Sequence, residues 1–478
     1  MKCHILSTLR TRTVLLCAGT GSLMALFSMY LITPSNEWSK YMLIFNMNIE
    51  SSVTATHSLS SCSELFNELS FSANSTNSYI NCCNDTELRS NNTGYVCNLT
   101  MQHRLMEILN IVKMPGINCN ALFNGTPLAA AKMNTTGRQD DIPIKDIDYL
   151  NLTQDCENFQ TTRGYIMSSL TQEEEDFPLA FSMVVYKDAE MVERLLRAIY
   201  RPQNYYCIHV DLKASDNFIN ATSAIADCFP NVFIASRRII VKWSWYSVLE
   251  AEIVCMNELW KYSKWKYFIN LTGQELPLKT NYELVKILTA YRGASDVMTN
   301  YKCIGRHNWR WRGYPVPFGL VKSVGSVHIT ANRDFVDYIV NNETGAAILN
   351  WTKLLAIPDE IFFTLLNANP KLGIKGTYTG HQDSCDKRLF MTRYKMWYNA
   401  PCAGRKVRDI CILSTGDLPR LFAAKQLFAN KFFLNDDRTV VGCLEEKIFN
   451  DTREEYIGRK TFDTDYYSKL DFVINQLT

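Results

Sequence analysis

The stretch FPLAFSMVVYKDAEMVERLLRAIYRPQNYYCIHVDLKAS, residues 177–215, decides the fold. Leu179–Tyr186 is an apolar run of strand length. Asp188 then opens a segment with Val192, Leu195, Leu196 and Ile199 on one face, the spacing of an amphipathic helix. Pro202 stops that helix, and a second apolar run, Tyr205–Val210, ends in Asp211. Strand, helix and strand in this order predict a βαβ unit with a parallel sheet and a right-handed crossover. Ligands of open α/β sheets bind beyond the carboxyl ends of the strands, where Val185 and Asp211 fall. Asn231–Ala235 and Tyr267–Leu271 predict further strands. The region therefore reads as a nucleotide-type α/β half. No GxGxxG and no GxxxxGK[ST] occurs, so dinucleotide and P-loop chemistry lose their usual marks.

Working outward, the chain has 478 residues and a formal net charge of +2, which disfavours a nucleic-acid binder driven by phosphate neutralisation. Lys2, Arg10 and Arg12 precede an uncharged apolar run, Thr13–Ile32. About 20 such residues span a bilayer, and the flanking bases put the N-terminus in the cytosol. The expectation is a cytosolic tail (1–12), a retained signal-anchor (13–32), a stem (33–118) and a lumenal domain (119–478). Sequons at Asn74, Asn84, Asn91, Asn98, Asn124, Asn134, Asn151, Asn220, Asn342, Asn350 and Asn450 fit a glycosylated lumenal chain. Asn270 also fits the sequon, but it falls in a predicted buried strand and is expected to stay unmodified. Sixteen cysteines fit an oxidising compartment, and none of their spacings suggests zinc. Cys303 and Cys385 are candidates to bridge each other.

Farther along, Tyr246–Tyr262 and Tyr282–Ala290 predict helices, the second capped by Thr280-Asn281. The segment GRHNWRWRGYPVPFG (305–319) mixes Arg with Trp and suits a sugar-binding rim or an ordinary surface loop. In LLAIPDEIFFTLLNANP (354–370), Pro358-Asp359 predicts a helix start with Glu360 in its first turn. Acids there ordinarily complement the helix dipole, and an ionised one can also serve as a general base toward a hydroxyl. In RKVRDICILSTGDLPRLFAAKQLFANKF (405–432), Arg408 precedes an apolar run and Lys431 lies in LFANKF. Two fixed cations near one strand end can hold a diphosphate.

These residues together resemble the animal β-1,6-N-acetylglucosaminyltransferases that build core 2 and I branches on glycans. The resemblance is carried by LLRAIYRPQNYYCIHVD (195–211), CFPNVFIAS (228–236), INLTGQELPLKTN (269–281), PDEIFFTLL (358–366) and the Arg408–Cys411, Gly416–Leu418 and LFANKF features, in that order, across about 110–450. It implies a GT-A-type fold with a nucleotide-binding half and an acceptor-binding half, stapled by disulfides behind a transmembrane helix. It also implies type II anchoring in the Golgi and inverting transfer of GlcNAc from UDP-GlcNAc to a glycan C6 hydroxyl, with no metal or other cofactor. Glu360 matches the family's base, and Arg408 and Lys431 match the pair that replaces a metal on the diphosphate. Asp211, Val185 and Trp243 fall at donor positions, and Arg310-Trp311 resembles an acceptor-binding pair. Asp146-Ile147-Asp148 and Asp463-Thr464-Asp465 match a DxD pattern, yet neither follows a nucleotide-domain strand. The pairings carried over are Cys119–Cys443, Cys156–Cys228, Cys207–Cys255 and Cys402–Cys411. Departures are Tyr186 for a His, Trp243 for a Tyr, Thr272 for a Cys, and STGDL (414–418) for GAGDL; the acceptor half matches least. A related transferase with another donor or acceptor, such as a xylosyltransferase-like enzyme, and a non-catalytic glycan binder remain alternatives.

Overall fold

A computed structural model describes residues 99–132, 142–300, 304–380, 390–398 and 400–478, all within one compact unit, residues 75–478. The apolar run 13–32, the stem cysteines, Cys303 and Cys385 lie outside the described residues. Among the described residues no helix is long and apolar enough to cross a membrane.

The expected βαβ unit is present. Strands β1 (Leu179–Val185), β2 (Tyr205–Val210), β3 (Val232–Ile234) and β4 (Tyr267–Thr272) run parallel, with Val185 paired to Val210 and Val184 to Thr272. Strand β5 (Glu275–Pro277) leaves this sheet. β6 (Asp296–Val297) and β7 (Ile329–Asn332) extend it to the order β3-β2-β1-β4-β7-β6, with β7 antiparallel to both neighbours. Strand order reverses between β1 and β4, so a crevice opens beyond their carboxyl ends. Gly273 keeps that edge tight: a Cβ there would lie 3.1 Å from Val185 Cγ1 and 3.0 Å from Val192 Cγ2.

Asp188 caps the helix Ala189–Ile199 by accepting from the Met191 N–H at 3.1 Å. Its apolar face packs Val192, Leu195, Leu196 and Ile199 into the core beside β1 and β2, where truncating a leucine costs about 2–5 kcal/mol. The polar face is buried too, because an ion network covers it. Arg163 meets Glu193 at 2.5 Å, Arg194 and Arg197 meet Glu445 at 2.8 and 2.5 Å, and Arg438 meets Glu190. Glu445 and Arg438 belong to the long helix Arg438–Tyr456, so this network clamps the C-terminal helix to the nucleotide half. The helix Leu99–Val112 packs Leu105 and Ile108 against Phe449 of the same long helix, which joins it to the ordered body.

A second, three-stranded sheet stands at the edge of the crevice. β8 (Arg393–Tyr394) pairs parallel with β11 (Phe428–Asn430), which pairs antiparallel with β5. A hairpin of β9 (Lys406–Val407) and β10 (Ile410–Cys411) lies alongside. Disulfides join Cys119–Cys443, Cys156–Cys228, Cys207–Cys255 and Cys402–Cys411, as the resemblance implies. Asn270 is 1% exposed and bonds Val327 and Ile329 across the sheet, so it offers no amide for glycosylation. The sequon asparagines Asn124, Asn151, Asn220, Asn342 and Asn350 are exposed.

Candidate active site

At the carboxyl end of β2, Asp211 donates its backbone N–H to the Val185 carbonyl at 2.9 Å. Its buried carboxylate accepts from the Lys213 N–H at 3.0 Å and pairs with Lys213 Nζ at 2.9 Å. Arg238 donates to the Asp211 and Val210 carbonyls and draws the following loop over the strand end. That loop carries Trp243, 65% exposed, with the Arg408 guanidinium 4.8 Å from its ring centroid. One indole face is therefore occupied by the cation.

Arg408 lies in the two-residue turn between β9 and β10, and both Arg408 and Asp409 have positive φ (52° and 62°). Paired positive φ is the signature of a type I′ hairpin turn, ordinarily filled by Asn-Gly. An arginine there bears a conformational cost in order to stand out from the hairpin. The hairpin is pinned by Tyr398, whose N–H donates to the Asp409 carbonyl at 2.9 Å, and by the Cys402–Cys411 bridge.

Lys431 follows β11 directly. Its ammonium is pushed down by burial and by the like charges of Arg408, Lys187 and Arg405. Beneath it, Glu275 of β5 accepts from Asn430 Nδ2 at 2.7 Å and from Arg393 Nε at 3.0 Å. Arg393 in turn donates to the Thr392 and Asn270 carbonyls. This buried ion pair locks β5, β8, β11 and β4 together and fixes where Lys431 emerges. His328 lies 3.6 Å from Glu275, but burial holds its imidazole well below its usual range, so this is a contact of a neutral ring and not an ion pair.

Glu360 closes a 3-10 turn, Pro358–Glu360, and the α-helix begins only at Phe362. The predicted helix start at Pro358 with Glu360 in its first turn is therefore present, as a 3-10 turn rather than an α-helical one. The N-cap position Ile357 has a positive φ (52°) and accepts no regular helix start, so the chain makes a tight turn first. Arg310 donates to Glu360 Oε2 and fixes the orientation of that carboxylate. Asp359 beside it is pushed up to about 7 by burial and by the charge of Glu360. Trp311, expected with Arg310 on a binding surface, is 1% exposed and packs with Val324, Leu355 and Ile361. It forms the wall behind Arg310; the neighbouring exposed ring is Trp309, 5.7 Å from the Arg310 guanidinium.

Two features relate these groups to one another. The Ile357 N–H donates to the Ser244 carbonyl at 3.1 Å, which links the Glu360 turn to the loop of Trp243, whose ring stacks on Arg408. Lys395, partly buried just past β8, is pushed down to about 8, first by burial. Glu275 and Glu360 support its charge while Arg393 and Lys431 oppose it, so Glu360 and Lys431 act on the same ammonium. Sequence reading missed Lys395, Lys187 and Arg405. Lys395 sits in the aperiodic segment RYKMW, which offers only an alternation of aromatic and basic residues as a signal.

The DxD matches are structural. Asp146 Oδ1 accepts from the Ala189 N–H at 2.9 Å, Asp148 accepts from the Lys145 N–H at 3.0 Å, and Asp465 pairs with Lys469 at 2.7 Å. In STGDL, Thr415 Oγ1 donates to Asp437 Oδ2 at 2.7 Å, which gives the departing threonine a partner.

The switch-point sheet and the residues gathered at its edge suit a group-transfer enzyme of the glycosyltransferase class. Comparison with known sequences agrees: a family described as Core-2/I-Branching enzyme matches residues 179–422. A human protein named beta-1,3-galactosyl-O-glycosyl-glycoprotein beta-1,6-N-acetylglucosaminyltransferase 3 is 34% identical over 380 residues, 71% of this chain and 85% of that protein. The mouse protein of the same name numbered 4 is 36% identical over 366 residues, covering 71% and 80%. A bovine herpesvirus 4 relative, named as the same kind of transferase, is 34% identical over 378 residues, covering 72% and 86%. The chain belongs to the Core-2/I-branching enzyme family.

Proposed function

We propose that this chain transfers GlcNAc from UDP-GlcNAc, with inversion and without a metal, to the C6 hydroxyl of a GalNAc or Gal residue, forming β-1,6 branches of the mucin-type O-glycan core 2 kind. The reading is carried by one observation: the Glu360 turn is hydrogen-bonded through Ile357 to the loop whose Trp243 stacks on Arg408. Glu360 takes the proton from the acceptor hydroxyl as its oxygen attacks the anomeric carbon. Charge then develops on the departing UDP, where Arg408 and Lys431, fixed in advance, stabilise it. Val185 and Asp211 border the uridine end, Trp243 backs Arg408, and Arg310 orients Glu360 toward the acceptor. The disulfides and exposed sequons support an oxidising, lumenal setting, and the apolar run 13–32 supports single-pass type II anchoring in the Golgi membrane.

The test is transfer from labelled UDP-GlcNAc to core 1, core 3 and poly-N-acetyllactosamine acceptors, with linkage analysis of the product. A β-1,6 linkage made in the presence of EDTA is expected. Transfer that requires Mn²⁺, or another linkage, would reject the reading.

A further inference from the structure

Lys187 stands two residues past the end of β1, on the edge of the switch-point crevice. Its Nζ lies 5.0 Å from the ring centroid of Phe433, which follows Lys431 by two residues. Lys431 Nζ and the Arg405 guanidinium lie 5.6 Å from the same centroid. Three cations from three different elements thus gather on one phenyl ring, and Arg408 adds its field to theirs at Lys431. Among the described residues, only Arg405 of these four pairs with a carboxylate, Asp436, at 2.6 Å. Like charges gathered with so little counter-charge repel, and a site that keeps them is suited to receive an anion. A nucleoside diphosphate carries more negative charge over a longer span than a monophosphate, which suits cations arriving from several elements. A diphosphate offers charge at both ends and can be approached from the hairpin turn, from the end of β11 and from the end of β1 together.

We propose that Lys187 is a third donor-binding cation, which contacts the diphosphate from the β1 side opposite Arg408. This rests on the donor site assigned above and extends it with a residue no part of that assignment uses. Lys187 adds affinity for the diphosphate of the sugar nucleotide and for product UDP, and contributes little toward a nucleoside monophosphate.

The purified full chain is titrated with UDP and with UMP by calorimetry, comparing wild type, Lys187→Ala, Lys187→Arg and Arg408→Ala. Lys187 is exposed, so its replacement leaves the melting temperature unchanged. Lys187→Ala is expected to weaken UDP roughly tenfold at low salt and UMP by less than about twofold, with the difference shrinking as salt rises. Lys187→Arg restores most of the loss, and in transfer assays the KM for UDP-GlcNAc rises while the acceptor KM holds. If Arg408→Ala weakens UDP and Lys187→Ala does not, or if Lys187→Ala weakens UDP and UMP equally, the inference is overturned and the donor-site reading stands. If neither variant weakens UDP, the donor-site reading itself has failed.

Discussion

Ile357 donates its backbone N–H to the carbonyl of Ser244 at 3.1 Å, and both residues are held at positive φ, 52° and 66°. Left-handed backbone at a β-branched residue and a serine costs on the order of 1 kcal/mol each. The contact joins the turn of Glu360 to the loop of Trp243, whose ring stacks on Arg408. Ser244→Gly removes the cost at one end and loosens the loop. It is expected to hold or slightly raise Tm while lowering kcat severalfold. Calorimetry beside a transfer assay checks this; unchanged kcat in the variant would show that the contact is only structural.

Glu360→Gln keeps the shape and the Arg310 contact but removes the basic oxygen. A positioned general base contributes about 10²–10⁴-fold, so kcat should fall by that order while UDP binding and Tm hold. Arg310→Ala acts differently, because it leaves the carboxylate without its orienting cation. The expected outcome is a rise in acceptor KM together with a smaller loss of kcat, measured by varying acceptor at saturating donor.

The nucleotide half was legible because its signals are local: apolar runs of strand length, Asp188 as a cap, and Thr280 three residues before Glu283 in a capping box. Glu360 and the helix start at Pro358 were legible, but the 3-10 form of that turn was not, since nothing in the letters IPDE announces a positive φ at Ile357. Trp311 reads like a surface aromatic among arginines, and only packing reveals that Val324 and Leu355 enclose it. Lys187, Arg405 and Phe433 meet through segments far apart in sequence, where periodicity carries no information. The disulfide partners likewise follow from family resemblance, because spacing alone permits many pairings.

Arg408 and Lys431 should behave as one unit. Either one replaced by Ala is expected to raise the KM for UDP-GlcNAc and lower kcat, with the double variant losing less than the product of the two single effects. Added Mn²⁺ should rescue neither. A double-mutant cycle at fixed acceptor checks this, and strict multiplicativity would mean that the two cations hold different ligands.

Lys395, pushed down to about 8, is a cation below that pH and neutral above it. Its charge lies in the fields of both Glu360 and Lys431, so transfer should decline as pH rises through about 8. Lys395→Arg keeps the charge and should move this alkaline limb upward. The pH profile of kcat/KM for wild type and variant is the measurement, and an unmoved limb would assign the decline to another group.

Asp359 supplies the clearest stability test. Its carboxyl is pushed up to about 7, first by burial and then by the charge of Glu360, from an ordinary value of 3.8. The folded state therefore binds this proton more tightly than the unfolded chain does. Between pH 4 and 7 the folded chain holds more protons at this site, and stability must fall as pH rises across that window. The favourable contribution is fully present below about pH 4 and is lost once pH passes about 7. Asp359→Asn keeps the size and mimics the neutral acid, so its Tm should vary less between pH 5.5 and 8 and exceed the wild-type Tm at pH 8. The gap at pH 8 is expected to be of order a few kcal/mol, read by calorimetric melting across a pH series. Parallel Tm curves for the two proteins would mean that Asp359 is ionised throughout and that burial beside Glu360 is offset by groups not identified above.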